Sequence, residues 1–256
     1  MDSTETYISL YAGGGGLDMG FQRAHGNARC VAVVEHEASA VGLLVDHIEA
    51  ELLDAAPVYT DAFTFPAERF HGLVDWVIGG PPCQPFSVAG KQLGADDPRN
   101  LWPLTLRMVG QIQPGGCFFE NVPSAESLWY IYEEVIPGLR YLGYEVKVGI
   151  FSATEVGAPH NRERVFILAD TIGQRGRGGN SEWQDATHAF PPGPNGDWSN
   201  VPERLWPAVK PGFRDVADGL AGRVAALSRA QELRILGNGV VPATAEKAFR
   251  TLEEQA

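Results

Sequence analysis

The run Tyr7-Ile8-Ser9-Leu10-Tyr11-Ala12-Gly13-Gly14-Gly15-Gly16-Leu17-Asp18-Met19-Gly20-Phe21-Gln22-Arg23-Ala24 decides the fold. Tyr7–Tyr11 reads as a strand, four glycines follow, and Leu17–Ala24 carries helical spacing. Glycines at a strand-to-helix turn let a ligand approach the backbone and set it over a helix N-terminus. Outward from this unit, short apolar runs predict strands at Arg29–Val34, Val58–Tyr59, Asp75–Ile78, Cys117–Glu120, Glu145–Phe151 and Val165–Ala169. Helical patterns fall between several of them, at Ala38–Leu53, Leu101–Ile112 and Ile131–Tyr141, and a last one spans Ala243–Glu254. Such alternation predicts an α/β fold, a parallel sheet with helices on both faces. The period stops after Ala169. From Asp170 to Arg214 the chain carries seven Gly, six Pro and three Trp, which marks a loop-rich insertion. The expected organisation is a main body over 1–169, a small region over 170–213, and a C-terminal segment, 214–256, that returns to the body.

Composition narrows the class. The chain has 256 residues, 44% of them hydrophobic, enough for one large α/β domain. No run of about 18 apolar residues predicts a membrane span, and the polar, acidic Met1–Thr6 does not read as a signal peptide. The three cysteines, Cys30, Cys83 and Cys117, form no Cys-x-x-Cys pair, which argues against zinc, any other metal centre and a disulfide framework. Cys30 and Cys117 lie in strand-like runs and read as inert core. A reducing cytoplasm is the expected setting. The net charge of −12 argues against indiscriminate affinity for phosphate. The charge is uneven, however: Asp170–Arg214 holds five basic and five acidic residues and is neutral, so an acidic body can still carry a basic cleft.

Chemistry concentrates at predicted strand ends. Val74–Ile78 runs into Gly79-Gly80-Pro81-Pro82-Cys83-Gln84-Pro85-Phe86-Ser87-Val88-Ala89-Gly90. The prolines stiffen the turn and deny it a helical start, so the Cys83 thiol is delivered at a sheet edge, where ligands of open α/β sheets bind. An unperturbed thiol is only a few per cent thiolate at neutral pH, so a nucleophilic Cys83 needs an activating neighbourhood. Glu35 ends the second strand, placed to accept from ribose hydroxyls, and Asp61 follows the third, placed to accept from an adenine amino group. Taken singly, each acid reads as a solvated charge. Three successive strand ends bearing Gly, Glu and Asp make a nucleoside-shaped set, and the glycine spacing lacks the Gly-Lys-Ser/Thr of a phosphate cradle. Glu120 ends another apolar strand ahead of Asn121-Val122-Pro123. Arg162 and Arg164 alternate at the entrance to the last strand, so they share a face that reads as a pocket wall.

In these runs the chain resembles the cytosine-C5 DNA methyltransferases. The matching stretches are Ser9–Gly16, Glu35, Asp61, Gly79–Ser87, Glu120-Asn121-Val122, Arg162-Glu163-Arg164 and Leu236-Gly237-Asn238-Gly239-Val240-Val241-Pro242. They stand in the family's order and span essentially the whole chain. The resemblance implies S-adenosylmethionine as cofactor and a Rossmann-like, seven-stranded methyltransferase sheet with a small target-recognition insertion. It implies that Tyr11, Ala12, Gly13, Gly15, Gly16, Leu17, Glu35, His36, Asp61, Ala62, Pro82, Asn238 and Val240 bind the cofactor. Cys83 would add to cytosine C6, Glu120 would hold a proton at N3, Arg164 would hold the O2 carbonyl and Arg162 would brace the site. The target base sits inside the duplex stack, so it must be flipped out. Gln84–Asn100 reads as a lid over it, with Gln84, Ser87, Lys91 and Arg99 as DNA contacts. Arg175, Arg177 and Trp183 are the expected contacts from the insertion.

Two positions depart from the family pattern. Ser9 stands where many members carry Asp, and His160 where Gln is common; His160 reads as structural. The insertion is short and neutral, which predicts few base contacts and a short target. The expected partners are double-stranded DNA and a cognate restriction endonuclease acting separately, with the protein a monomer. Three other readings stay open at this level. They are an RNA (tRNA) cytosine methyltransferase with the same apparatus, an adenosyl-binding protein without catalysis, and a nicotinamide oxidoreductase. The last would prefer a Gly-x-Gly-x-x-Gly turn.

Overall fold

The structure is a computed structural model and describes residues 4–82, 100–171 and 239–255. Its strands are β1 (Glu5–Leu10), β2 (Ala28–Val34), β3 (Val58–Tyr59), β4 (Trp76–Gly79), β5 (Gly116–Asn121), β6 (Tyr144–Ser152) and β7 (Glu163–Thr171). They form one sheet in the order β3-β2-β1-β4-β5-β7-β6. The helices are α1 (Gly16–His25), α2 (Ala38–Glu49), α3 (Trp102–Ile112), α4 (Ala125–Tyr130), α5 (Ile136–Tyr141) and α6 (Pro242–Glu254).

Strand residues alternate between two apolar layers, as a pleat of period two requires. Ile8, Val77, Phe119 and Ile167 face one layer, with Met108, Val109 and Ile112 of α3 and Leu139 of α5. Tyr7, Ile78, Phe118 and Phe166 face the other, with Phe21 of α1, Leu44 of α2 and Phe249 and Leu252 of α6. Both faces are therefore covered, which is why the central strands read as continuous apolar runs. Among the described residues no helix is long and apolar enough to cross a membrane, and no cluster of His, Cys, Asp and Glu is placed to hold a metal ion.

The expected all-parallel sheet needs one correction. β1 pairs in parallel with β2 and β4, and β4 with β5, but β7 runs antiparallel to both β5 and β6. The link 153–162 is the reason: it holds only a short 3₁₀ turn, Ala153–Val156, whereas a parallel crossover needs about a dozen residues or more. Ser152 and Glu155 close that turn with a reciprocal capping box. Two helix limits also differ. α2 stops at Glu49 rather than Leu53, because Glu51 takes a left-handed φ of 57°. The stretch expected as a helix over Ile131–Tyr141 is a π turn, Ile131–Val135, leading into α5. α4 begins upstream of it, where the Ser127 N–H donates to the Ser124 hydroxyl at 3.1 Å.

Chain order now fixes where a ligand goes. From β1 the chain steps outward to β2 and β3, then returns to the other side of β1 as β4. The reversal lies between β1 and β4, and the crevice beyond their C-terminal ends is the binding position of an open α/β sheet. Tyr11–Gly15 and Gly79–Pro81 leave the sheet on the two sides of that crevice.

Candidate active site

The glycine turn after β1 is held from two sides. The Gly13 N–H donates to Glu35 Oε2 at 2.8 Å, and the Glu37 N–H donates to Glu35 Oε1 at 2.8 Å. Glu35 follows β2 immediately, and its own N–H reaches the Tyr59 carbonyl of β3 at 2.9 Å. The buried Glu35 thus links the ends of three strands, its carboxylate binding the turns after β1 and β2 and its backbone N–H binding β3. Gly13 takes a φ of +56°, and a Cβ built there would meet nothing within 4 Å. Its bare backbone faces open space beside the Glu35 carboxylate, a cradle that fits the ribose and methionyl parts of an adenosyl cofactor. On the far side His47 Nδ1 lies 3.0 Å from the Gly14 carbonyl. Sequence reasoning missed His47: it is one polar residue on the apolar helix α2, and its partner is distant in the chain.

Beneath the turn the Ser9 hydroxyl donates to Asp18 Oδ2 at 3.0 Å, so Ser9 still meets a carboxylate from the first turn of α1. Burial raises the Asp18 carboxyl to about 6, against the Ser9 hydrogen bond. Ala12 is pinned to β2 through its N–H and the Val34 carbonyl at 3.3 Å, and Leu17 is buried. Tyr11 takes a left-handed φ of 54°. The His36 side chain is exposed, with Nδ1 at 3.5 Å from Glu35 Oε1. Asp61 is exposed; its carboxylate accepts from the Phe63 N–H at 2.9 Å and the Thr64 hydroxyl at 3.0 Å, which orders the turn containing Ala62.

The second half of the site lies beyond β4 and β5. The Gly80 N–H donates to the Leu10 carbonyl at 3.3 Å, and Asn121 Nδ2 donates to the Pro81 carbonyl at 3.3 Å. These bonds fix the turn up to Pro82. Glu120 is the penultimate residue of β5 and is buried. A Cβ on Gly80 would lie 3.3 Å from Glu120 Oε2, so this carboxyl packs on the turn that precedes Cys83. Arg164 Nε sits 2.7 Å from Glu120 Oε1, yet that buried oxygen has no aligned hydrogen-bond donor among the described residues. Burial pushes the Glu120 carboxyl up to about 7, opposed by Arg164 and then Arg162. It therefore holds or releases a proton near neutrality.

Arg162 reaches elsewhere as well: Nη2 donates to the Gly239 carbonyl at 2.6 Å. This ties the start of β7 to the returning C-terminal segment. In that segment the Val240 carbonyl lies against α1, only 2.2 Å from where a Cβ on Gly16 would stand. A Cβ on Gly80 would lie 3.3 Å from Glu120 Oε2 and 3.9 Å from the Tyr11 carbonyl, so the turns after β1 and β4 come together beside Glu120. His160 is exposed. Cys83, Gln84, Ser87, Lys91, Arg99, Arg175, Arg177, Trp183 and Asn238 lie outside the described residues.

The sequence profile of the C-5 cytosine-specific DNA methylases matches residues 6–192. The Type II methyltransferase M.AquIA of Picosynechococcus sp. is 34% identical over 180 residues, which cover 65% of this chain and 72% of that protein. The Type II methyltransferase M1.HphI of Haemophilus parahaemolyticus is 34% identical over 173 residues, covering 64% of this chain but 45% of that protein. Among solved structures, the S. pombe Dnmt2 methyltransferase superposes with a TM-score of 0.60 over 98% of this chain and 99% of its own, at 20% identity; that likeness speaks to the fold.

Proposed function

Because this chain belongs to the C-5 cytosine-specific DNA methylases, a family of methyl-transferring enzymes, we propose that it methylates C5 of cytosine in duplex DNA. S-adenosylmethionine is the proposed donor and supplies an electrophilic methyl group. Glu35 and the bare backbone at Gly13 hold its ribose and methionyl parts, Tyr11 and His36 flank the adenine, and Asp61 with Ala62 meets the adenine edge. Pro82, Asn238 and Val240 complete the enclosure.

Cytosine C5 is a poor nucleophile, and the proposed mechanism makes it a better one. The Cys83 thiolate adds to C6, and the ring becomes an enamine with electron density at C5. Negative charge moves toward N3 as the sulfur adds. Glu120, protonated in its dry pocket, donates a proton there, and Arg164 holds the O2 carbonyl while it orients Glu120. Arg162 braces the wall from behind through Gly239. After transfer a base takes the C5 proton, the sulfur leaves as thiolate and the N3 proton returns to Glu120, restoring the aromatic ring and both side chains. Base flipping from duplex DNA, a cognate endonuclease acting separately and a monomeric enzyme complete the reading.

One observation carries it. A buried carboxyl raised to about 7 is packed on the turn before Cys83 and lies 2.7 Å from Arg164. The test uses labelled S-adenosylmethionine and duplex DNA containing 5-fluorocytosine. Fluorine does not leave as a proton does, so the expected product is a covalent protein–DNA adduct that Cys83→Ala abolishes. Label transferred to RNA alone, or no adduct with active protein, overturns it.

A further inference from the structure

Tyr11 is the one non-glycine residue of the cofactor turn held at positive φ, 54°, a conformation that strains any residue carrying a side chain. Such strain persists where the surroundings over-determine it. At the far end of the ring the Tyr11 hydroxyl lies 3.3 Å from Thr105 Oγ1. Thr105 is fully buried in α3, and its own hydroxyl donates to the Leu101 carbonyl at 2.8 Å. The start of α3 is itself fixed. Asn100 Nδ2 donates to the Tyr130 hydroxyl at 2.8 Å, and Asn100 Oδ1 accepts from the Trp102 N–H at 3.2 Å. Burial raises the Tyr11 phenol above its usual range, against the Thr105 hydrogen bond and Arg107, so it stays neutral and the contact is an uncharged hydrogen bond.

We propose that Thr105 is a positioning residue for cofactor binding: its hydrogen bond to the Tyr11 hydroxyl fixes the plane of the ring that walls the adenosyl cleft. A ring attached only through Cα–Cβ turns about χ1 and χ2. A second anchor at the hydroxyl leaves one orientation, so the cost of ordering the ring is met before the cofactor arrives. The inference rests on the proposed place of Tyr11 beside the adenine. It explains a buried threonine hydroxyl that the chemistry of the reaction does not use.

The test measures S-adenosylmethionine affinity by calorimetry on the full chain as wild type, Tyr11→Phe, Thr105→Val, Thr105→Ser and the double variant Tyr11→Phe/Thr105→Val. Melting curves of the unliganded proteins and KM values for cofactor and DNA accompany it. Each removal of a partner should weaken cofactor binding about three- to tenfold, the scale of one neutral hydrogen bond. The double variant should be no weaker than either single one, and Thr105→Ser should stay near wild type. KM for the cofactor should rise and KM for DNA should not, a split that a general loss of stability does not produce. Wild-type affinity in Thr105→Val, or single effects that multiply in the double variant, overturns the proposal. Failure of the wild type itself to bind the cofactor overturns the methyltransferase reading instead, and is distinguishable on that account.

Discussion

Glu120 shows how one buried side chain sets both reactivity and a cost. Water no longer stabilises its anion, and Arg164 at 2.7 Å recovers only part of the loss, so the carboxyl titrates at about 7 rather than 4.5. A raised carboxyl favours the native state below its unfolded value, and that contribution disappears as pH rises through about 7. Glu120→Gln should therefore gain stability relative to wild type between about pH 5 and pH 8. The gain is on the order of 1–3 kcal/mol, read from chemical denaturation at several pH values. Methyl transfer should move the other way. A loss of about 10²–10⁴-fold in kcat is expected, along with the alkaline limb near pH 7 that Glu120 gives the wild-type profile. A variant with unchanged stability slope and unchanged pH profile would remove Glu120 from the reaction. The residue itself was legible in the sequence, as an acid ending an apolar strand beside two alternate arginines. Its protonation was not, because burial depends on Gly80 and on β7, which lie far away in the chain.

Elements meet at their closest around the first turn of α1. The Val240 carbonyl occupies the space a Cβ on Gly16 would need, whereas Gly13 faces open space at positive φ. The two glycines should fail differently. Gly16→Ala sets new carbon against backbone oxygen at 2.2 Å, so the segment ahead of α6 must shift; about 2 kcal/mol or more of stability should go with it. Gly13→Ala should cost about 1 kcal/mol of conformational strain and lower cofactor affinity while the fold persists. Thermal unfolding and cofactor titration of the two variants distinguish these outcomes, and equal melting temperatures would refute the assignment. Element type was readable because period-two and helical spacing are local properties. Strand direction was not: Val165–Ala169 looks the same from either end, and only the shortness of 153–162 hinted at its reversal. His47 and Thr105 escaped for a related reason, since each meets the cofactor turn through a single contact across the fold.

At the N-terminal ends of the central strands, a cluster joins β1, α1, β4 and α6. His25 Nε2 lies 3.1 Å from Glu5 Oε2, which also accepts from the Trp76 indole N–H at 2.6 Å, and the imidazole packs against Phe21, Trp76 and Phe249. Burial alone would lower the His25 pKa, but Glu5 outweighs it and the net shift is upward; the His25 hydrogen bond in turn holds Glu5 below its usual range. The histidine contribution is complete below about pH 6.5 and is lost as pH rises through the elevated folded value, while the Glu5 contribution is lost as pH falls through its depressed one. His25→Gln should remove the histidine share of the alkaline decline, leaving that of Glu120, and cost about 0.5–1 kcal/mol near pH 6, the range expected for a partly screened pair. An unaltered alkaline limb of the melting curve would refute it. The same cluster sets a condition on biosynthesis. Phe249 closes the aromatic layer against Phe21, Trp76 and Phe118, residues that precede it by long stretches of chain. Until Phe249 has left the ribosome, the nascent polypeptide lacks a ring that four aromatic side chains pack on, so this layer closes only after synthesis has passed that residue.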